Sequence, residues 1–491
     1  MGKVSNPRSC KSAHLMRTAL VLLLCLLALA PAWAQGGLGA PKTSPSSKPA
    51  TAPKAAPKPQ SPPATEPAEA APVRALLDVH TTSHLRSTVL PGNQGWQPLY
   101  TLEVNAKAGD VFRIFGQTQL TVDTVPEVGQ QLRLLLDGQP IGNGSIEINT
   151  QPGSHHLPMQ AFALVMAEHD GPLTITLEGS AFHSDGDFPV TVDHQENLAY
   201  GSLLAEQYRS YPGLAEAWAA GAKLLTDIYQ PQALSKEVWG QAPYVQEPLA
   251  SLTFPANQGD ILRPTAQAVA AGAFGLEQFT GVLTSGGQAI SPYGGQNVDE
   301  QNPFAAMLLE GFQRVPADGE QFLEQRVYGA FGRGLTIEPA SPSFEIAHFG
   351  MYGSELARFG QEHVQLDTFP STGLPVEVYS QEIELLQGDL LRLTGSLQFG
   401  RPDTVDPVNV DCRLDLVVEG PGGSQTSFAQ KTQTPTRNVL PLIDTMTFRA
   451  PESGLYRISM RATGSSPQGV VPLRLDTSQS QLQYLLYSLP I

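Results

Sequence analysis

Asp185-Gly186-Asp187, with Asp193 shortly after, could offer oxygen ligands to a cation. Carboxylates at that spacing suit a weak calcium site of the kind extracellular modules use. A later loop in the same sequence pattern, Ser465-Ser466-Pro467-Gln468, carries no acid, which counts against a shared metal role. His155, His156, His169, His183 and His194 crowd one region, but no His-x-His or His-Glu-x-x-His spacing occurs. Imidazole ligation needs convergence, and neighbouring His155 and His156 point to opposite faces of an extended chain. No Gly-x-Ser-x-Gly elbow and no glycine-rich loop before lysine is present, so acyl- and phosphoryl-transfer motifs are missing. The residues thus suggest no enzyme and no required cofactor, with calcium the single metal candidate. The alternative is an exported hydrolase with its active site in 198–344.

The strongest pattern is a string that occurs three times. Gly109-Asp110-Val111-Phe112-Arg113 returns as Gly259-Asp260-Ile261-Leu262-Arg263 and as Gly388-Asp389-Leu390-Leu391-Arg392. Glycine permits the tight turn, and the aspartate can accept hydrogen bonds from nearby amides. Gly109, Asp110, Gly259, Asp260, Gly388 and Asp389 are therefore read as structural turns. Alternation along the strand that follows predicts Arg113, Arg263 and Arg392 on its solvent side, their stems covering sheet surface.

Around each copy a longer strand pattern repeats. Tyr100, Leu102 and Val104 alternate with Thr101, Glu103 and Asn105, and Leu173 to Leu177 alternates likewise, the period of a half-buried strand. The fold class expected is mainly β: tandem antiparallel β-sandwich, jelly-roll-like domains joined by partly helical links. The boundaries read as sandwich 1 over 73–195, a helical link over 196–243, a degenerate sandwich 2 over 244–344, a link over 345–368, and sandwich 3 over 369–491 with an apolar tail.

The beginning of the chain reads as an address. Lys3, Arg8, Lys11 and Arg17 precede the apolar run 19–30, and small residues lead to a cleavage point between Ala34 and Gln35, the form of a signal peptide over 1–34. Residues 35–72, rich in Pro, Ala and Ser, predict a disordered tether. The body beyond is acidic: the chain carries net charge -16, and after residue 71 only Lys107, Lys223, Lys236 and Lys431 remain of the lysines. That field opposes nucleic-acid binding. The apolar run is short for a span, so no transmembrane segment is expected in the mature chain. Cys10 and Cys25 leave with the signal, so Cys412 stands alone, a buried thiol or else a bridge between chains.

The third copy resembles the bacterial pre-peptidase C-terminal domain family. The likeness is carried by Gly388-Asp389-Leu390-Leu391-Arg392, by Cys412-Arg413-Leu414-Asp415-Leu416-Val417-Val418-Glu419-Gly420, and by Pro451-Glu452-Ser453-Gly454-Leu455-Tyr456. The first copy departs with Leu173 in place of the tyrosine, and the middle one departs further with Gln321 and Phe322. The resemblance implies an exported β-sandwich accessory module and brings no catalytic residues. Together these readings predict a periplasmic, cell-surface or extracellular accessory protein. Its partner would be an envelope or extracellular protein, or a polysaccharide, with exposed aromatics among Trp96, Tyr100, Trp218, Tyr229, Trp239 and Tyr244 available for stacking. A subunit of a homo- or hetero-assembly at the surface is the further alternative.

Overall fold

Alternating sequence becomes alternating burial. In Gln97–Ala106, Leu102, Val104 and Ala106 are buried while Glu103 and Asn105 are exposed. The structure is a computed structural model, and it describes residues 74–122, 128–149, 155–182, 189–193, 201–211, 215, 225–229, 238–239, 242, 244–272, 277–291, 293–298, 304–329, 332–337, 343–350, 357–400, 409–433, 439–477 and 480–487. The signal, the tether, Asp185, Asp187, His183, His194 and Trp218 lie outside the described residues.

The first sandwich opens with β1 (Arg74–Thr82), β2 (Val89–Leu90), β3 (Gln97–Ala106), β4 (Val111–Val122) and β5 (Val128–Leu136). It continues with β6 (Gln139–Asn149), β7 (His155–Met166), β8 (Gly171–Phe182), β9 (Val190–Val192) and β10 (Ser202–Ser210). The second starts with β11 (Leu225–Tyr229), β12 (Val238–Trp239), β13 (Glu247–Ala256), β14 (Ile261–Gly272), β15 (Glu277–Ser285) and β16 (Gln288–Ala289). It is completed by β17 (Gly294–Val298), β18 (Phe304–Glu310), β19 (Gln313–Arg314), β20 (Gly319–Gly329), β21 (Leu335–Ile337) and β22 (Ser343–Phe349). The third begins with β23 (Ala357–His363), β24 (Thr368–Pro370), β25 (Val376–Leu385), β26 (Leu390–Gly400) and β27 (Val410–Gly420). Its remaining strands are β28 (Gly423–Gln433), β29 (Val439–Arg449), β30 (Gly454–Ser465), β31 (Pro472–Leu475) and β32 (Gln481–Tyr487).

Each sandwich has the same two sheets. The outer one runs β3-β8-β5-β6, then β13-β20-β15 with β16 and β17, then β25-β30-β27-β28. The inner one is built on β4, β14 or β26, the strand that follows the Gly-Asp turn. That strand lies between β7 and β10 in the first copy, between β18 and β22 in the second, and between β29 and β32 in the third. The apolar tail, Leu482 to Tyr487, is thus an integral inner strand. The stretches expected as partly helical links are, where described, mostly β10, β11, β12, β22 and β23, with Ala215 alone helical. Leu and Ala in Ser202–Ser210 favour helix intrinsically, but pairing with β4 and β1 overrides so weak a preference.

Each sandwich has its own apolar core, with Ile175 and Leu177, Phe279 and Leu283, or Leu414 and Ile458 at its centre. A further cluster draws Phe115, Phe162, Tyr208, Ile261, Phe349, Leu390 and Tyr487 from all three copies. The inner sheets therefore face one another. At the seams β6 lies against β18, β17 against β29, and β28 against β7. These are equivalent strands in each copy, so the three sandwiches close a pseudo-threefold ring, the outcome of a head-to-tail contact whose rotation closes. Matching bonds mark two seams: Gln267 Oε1 accepts from the Phe162 amide at 3.0 Å, and Gln117 Oε1 from the Thr445 amide at 3.2 Å.

Candidate functional site

The three turns are nearly superimposable in their bonding. Gly109, Gly259 and Gly388 take φ of 90°, 93° and 87°, where a side chain would be strained. The amide three residues before each aspartate donates to its carboxylate: Lys107 to Asp110 at 2.9 Å, Asn257 to Asp260 at 2.8 Å, and Leu386 to Asp389 at 2.9 Å. Neighbours differ. Arg209 forks onto Asp110 at 2.7 and 2.8 Å with Gln207 also donating, whereas His348 meets Asp260 at 2.7 Å. His348 and Gln207 occupy the same place in the inner sheet, opposite Leu262 and Phe112. The His348–Asp260 contact, which joins the 198–344 span to the strand that leaves it, is thus the second copy's version of a turn anchor.

Arg113, Arg263 and Arg392 are not on the solvent side as alternation suggested. They are the largest fully buried side chains among the described residues, exposed by 0, 0 and 2 %. The inner strands carry a polar second face, and a neighbouring sandwich covers that face instead of water. At the axis the three guanidinium groups meet three carboxylates. Glu206 binds Arg113 at 2.8 Å and Arg263 at 2.7 Å, with Arg392 at 3.5 Å. Glu310 binds Arg263 at 2.5 Å and Arg392 at 3.2 Å. Glu345 accepts from Arg113 Nε at 2.8 Å and also contacts its Nη2. Tyr208 donates to Glu206 at 2.9 Å, Thr394 to Glu310 at 3.0 Å, and Arg263 to the Tyr487 hydroxyl at 2.6 Å. The Phe115 ring lies 3.8 Å from the Arg392 guanidinium carbon, a cation–π contact.

The arginines repeat, but their partners do not. Register places Ala347 and Leu485 where the first copy has Glu206, opposite Arg263 and Arg392 respectively. One acid thus comes from the first sandwich, two from the second and none from the third. Burial works to raise Glu206 and Glu310, but Arg263 beside them, with Arg113 and Arg392, holds both below the usual carboxylate range. Burial wins at Glu345, which is pushed up despite Arg113. Burial, with Arg263 nearby, lowers Arg392. Buried and paired with one another across the sandwiches, these groups form a lock between sheets. Desolvation makes such a lock specific more than strong. Sequence reasoning missed its acids, although each stands in or at the end of an apolar strand: Leu203-Leu204-Ala205-Glu206, Met307-Leu308-Leu309-Glu310 and Phe344-Glu345-Ile346.

Asp444 forms a second buried charge site, at the seam of the first and third sandwiches. Its Oδ1 accepts from Gln117, from Ser427 at 3.1 Å and from the Thr445 amide at 2.9 Å. Burial pushes its carboxyl up to about 7, against the opposing pull of those three donors.

The other expected sites separate. Asp193 takes Gln119 Nε2 at 2.7 Å and the Thr121 hydroxyl, so strand β4 engages both its oxygens. Among the described residues no His, Cys, Asp or Glu group of three is disposed to hold a metal. Cys412 is fully buried and its thiol is pushed up by that burial. For a bridge to another chain to form, the third core would have to open, since β27 buries the sulfur among apolar neighbours. His155 and His156 lie on β7, and Tyr229 and Trp239 on β11 and β12. Tyr100 is buried, and Trp96 stacks against Arg133 at 4.1 Å. Among the described residues no helix is long and apolar enough to cross a membrane.

Tyr244 behaves differently. It has a positive φ of 59° and is 69 % exposed. Its ring lies 6.4 Å from that of Tyr328, tilted by 42°. Gln246 donates to the nearby Tyr293 hydroxyl at 3.3 Å, and Arg326 binds the Gln246 carbonyl at 3.1 Å. Val245, also exposed, extends the surface. A bulky residue in the left-handed region is uncommon, and such strain tends to gather at functional positions.

Fold and sites together define a protein of tandem β-sandwiches locked as a ring by a buried ionic core. No family model matches the chain, and no curated protein matches it. One similar solved structure is the N-terminal CBM22-1-CBM22-2 tandem domain of Xyn10C from Paenibacillus barcinonensis. It is 10% identical, covering 52% of this chain and 92% of that one, with a TM-score of 0.17. Another is Sulfolobus Turreted Icosahedral Virus, 9% identical over 80% of this chain and 84% of that one, also with a TM-score of 0.17. The pre-peptidase C-terminal likeness rests on the sequence motifs of the third copy.

Proposed function

We propose that this is an exported, non-enzymatic accessory protein of the cell envelope or its exterior that binds a polysaccharide. The observation that carries the reading is Tyr244, held in a strained conformation with its ring in solvent beside Tyr328, Tyr293 and Gln246. An exposed aromatic face takes up the apolar face of a sugar ring, and adjacent amide and phenol groups meet its hydroxyls. The ring lock supports the same reading, because it withdraws the convergent charged groups from solvent and leaves a rigid outer surface for display. The signal sequence and tether would place that surface outside the cytoplasm.

The test is retention of the mature protein on purified envelope polysaccharides, alongside Tyr244→Ala. Retention that drops at least tenfold in the variant, with unchanged unfolding, is the expected result. Equal retention of both proteins, or capture by envelope protein alone, would overturn the glycan reading. Turnover of a glycan or ester substrate by the mature chain would overturn the non-enzymatic one.

A further inference from the structure

The third sandwich brings an arginine to the axis but no carboxylate. Arg392 must share acids that others already hold: Glu310 at 3.2 Å and Glu206 at 3.5 Å, both gripped closer by Arg263, at 2.5 and 2.7 Å. Its Nε is buried and makes no hydrogen bond. Phe115 covers one part of the guanidinium. Elsewhere Arg392 lines a small cavity of about 20 Å³, at the junction of all three sandwiches.

The wall of this cavity is rich in donors. Besides Arg392 it includes the hydroxyl residues Ser202, Thr445 and Thr447 and the amides of Gln117 and Gln160; the Gln117 oxygen already accepts from Gln160 at 3.1 Å and from the Thr445 amide at 3.2 Å, and no carboxylate is among the described lining residues. The volume fits one water-sized occupant. A water there would need an acceptor as well as donors, whereas a guanidinium N–H among hydroxyls that can rotate to donate favours a negative occupant. Glu206 and Glu310 are the acids nearest Arg392, and Asp444 lies on the same seam, bound to Gln117. Glu206 and Glu310 are occupied by Arg263, so neither fills the need at Nε.

We propose that this cavity binds a single small monovalent anion of halide size, with Arg392 as its charged ligand and Thr447, Thr445 and Ser202 as neutral donors. Residues of the first and third sandwiches would hold the ion together, with Leu308 of the second closing the wall. The ion would therefore stabilise the ring where chain connectivity does not.

The test is unfolding of the full mature chain at fixed ionic strength as potassium chloride or bromide replaces potassium gluconate. A saturable rise in midpoint is expected with the halides, and Thr447→Val should raise the half-saturating concentration by about tenfold, the loss of one hydrogen bond to a charged ligand. Arg392→Met should remove the halide response. Should that variant not fold, a bromide-grown crystal of the wild-type chain decides the matter, with an anomalous peak beside Arg392 expected. A midpoint indifferent to halide, a response unaltered in Thr447→Val, or a bromide crystal with no peak in the cavity would overturn the proposal.

Discussion

The Gly-Asp turns and the axial cluster are both threefold features, yet they are built on opposite plans. Each turn closes its loop within one sandwich, using an amide three residues away from its aspartate. The axial cluster repeats only its arginines, and their acids come unequally from two of the three copies. A local hydrogen bond can be satisfied the same way in every copy. A shared cluster needs acids within reach of its guanidinium groups, and it is indifferent to which copy supplies them.

The largest effect should follow from breaking the shared cluster. Glu206→Ala leaves Arg113 and Arg263 buried without their common partner, and removing one side of a buried pair costs about 3–5 kcal/mol. Urea unfolding of the variant should show that loss as a lower midpoint. A shift as small as that of a surface substitution would mean the cluster is not a lock.

The second test concerns the seam at Asp444. Its folded carboxyl titrates at about 7 against an ordinary 3.8, so between those values the folded chain holds a proton that the unfolded chain has released. Its contribution to stability is complete below 3.8, falls as pH rises through about 7, and is absent above. The range is a few kcal/mol. Asp444→Asn should flatten that part of the stability–pH curve, and an unchanged slope would remove Asp444 from the seam's account.

Turn substitutions sharpen the contrast on the local side. Asp110→Ala forfeits a forked, charge-assisted contact with Arg209 as well as the turn amide, and should cost about 2–3 kcal/mol by chemical denaturation. Asp389→Ala removes the turn amide contact, and about 1 kcal/mol is expected. Equal costs would show that Arg209 contributes nothing. The smallest effect belongs to Cys412, which should resist a thiol reagent in the native chain and react once unfolded. Native-state labelling at an exposed-thiol rate would contradict its burial.

Much of the architecture was legible because strands announce themselves by period. Leu173-Thr174-Ile175-Thr176-Leu177 alternates in sequence and in burial alike, and the repeated Gly-Asp string located the strand at the centre of each inner sheet. The misplacement of Arg113, Arg263 and Arg392 has the same origin. Period two separates the faces of a sheet without naming what covers the second, and a polar face against another sandwich reads like a polar face against water. The acids were legible only in part: Glu345 between Phe344 and Ile346 is out of keeping with its strand, but its partner Arg113 lies 232 residues away. Tyr244 was a named aromatic, yet its strain and exposure depend on a backbone turn that composition does not encode.

The seam between the first and last sandwiches joins segments 311 to 328 residues apart, as in the bonds from Gln430 to Gln119 and from Thr445 to Gln117. A polypeptide emerging from its N-terminal end cannot give Glu206 its Arg392 contact, or close the seam at Gln117 and Gln119, until strands from near its C-terminal end arrive. The nascent first third must wait, its charged inner face wet, for the last third to be delivered. Contacts of such reach form slowly, so shortening the chain by its final strand, Gln481–Tyr487, would be felt first at the other end, by sandwiches left unable to close their circle.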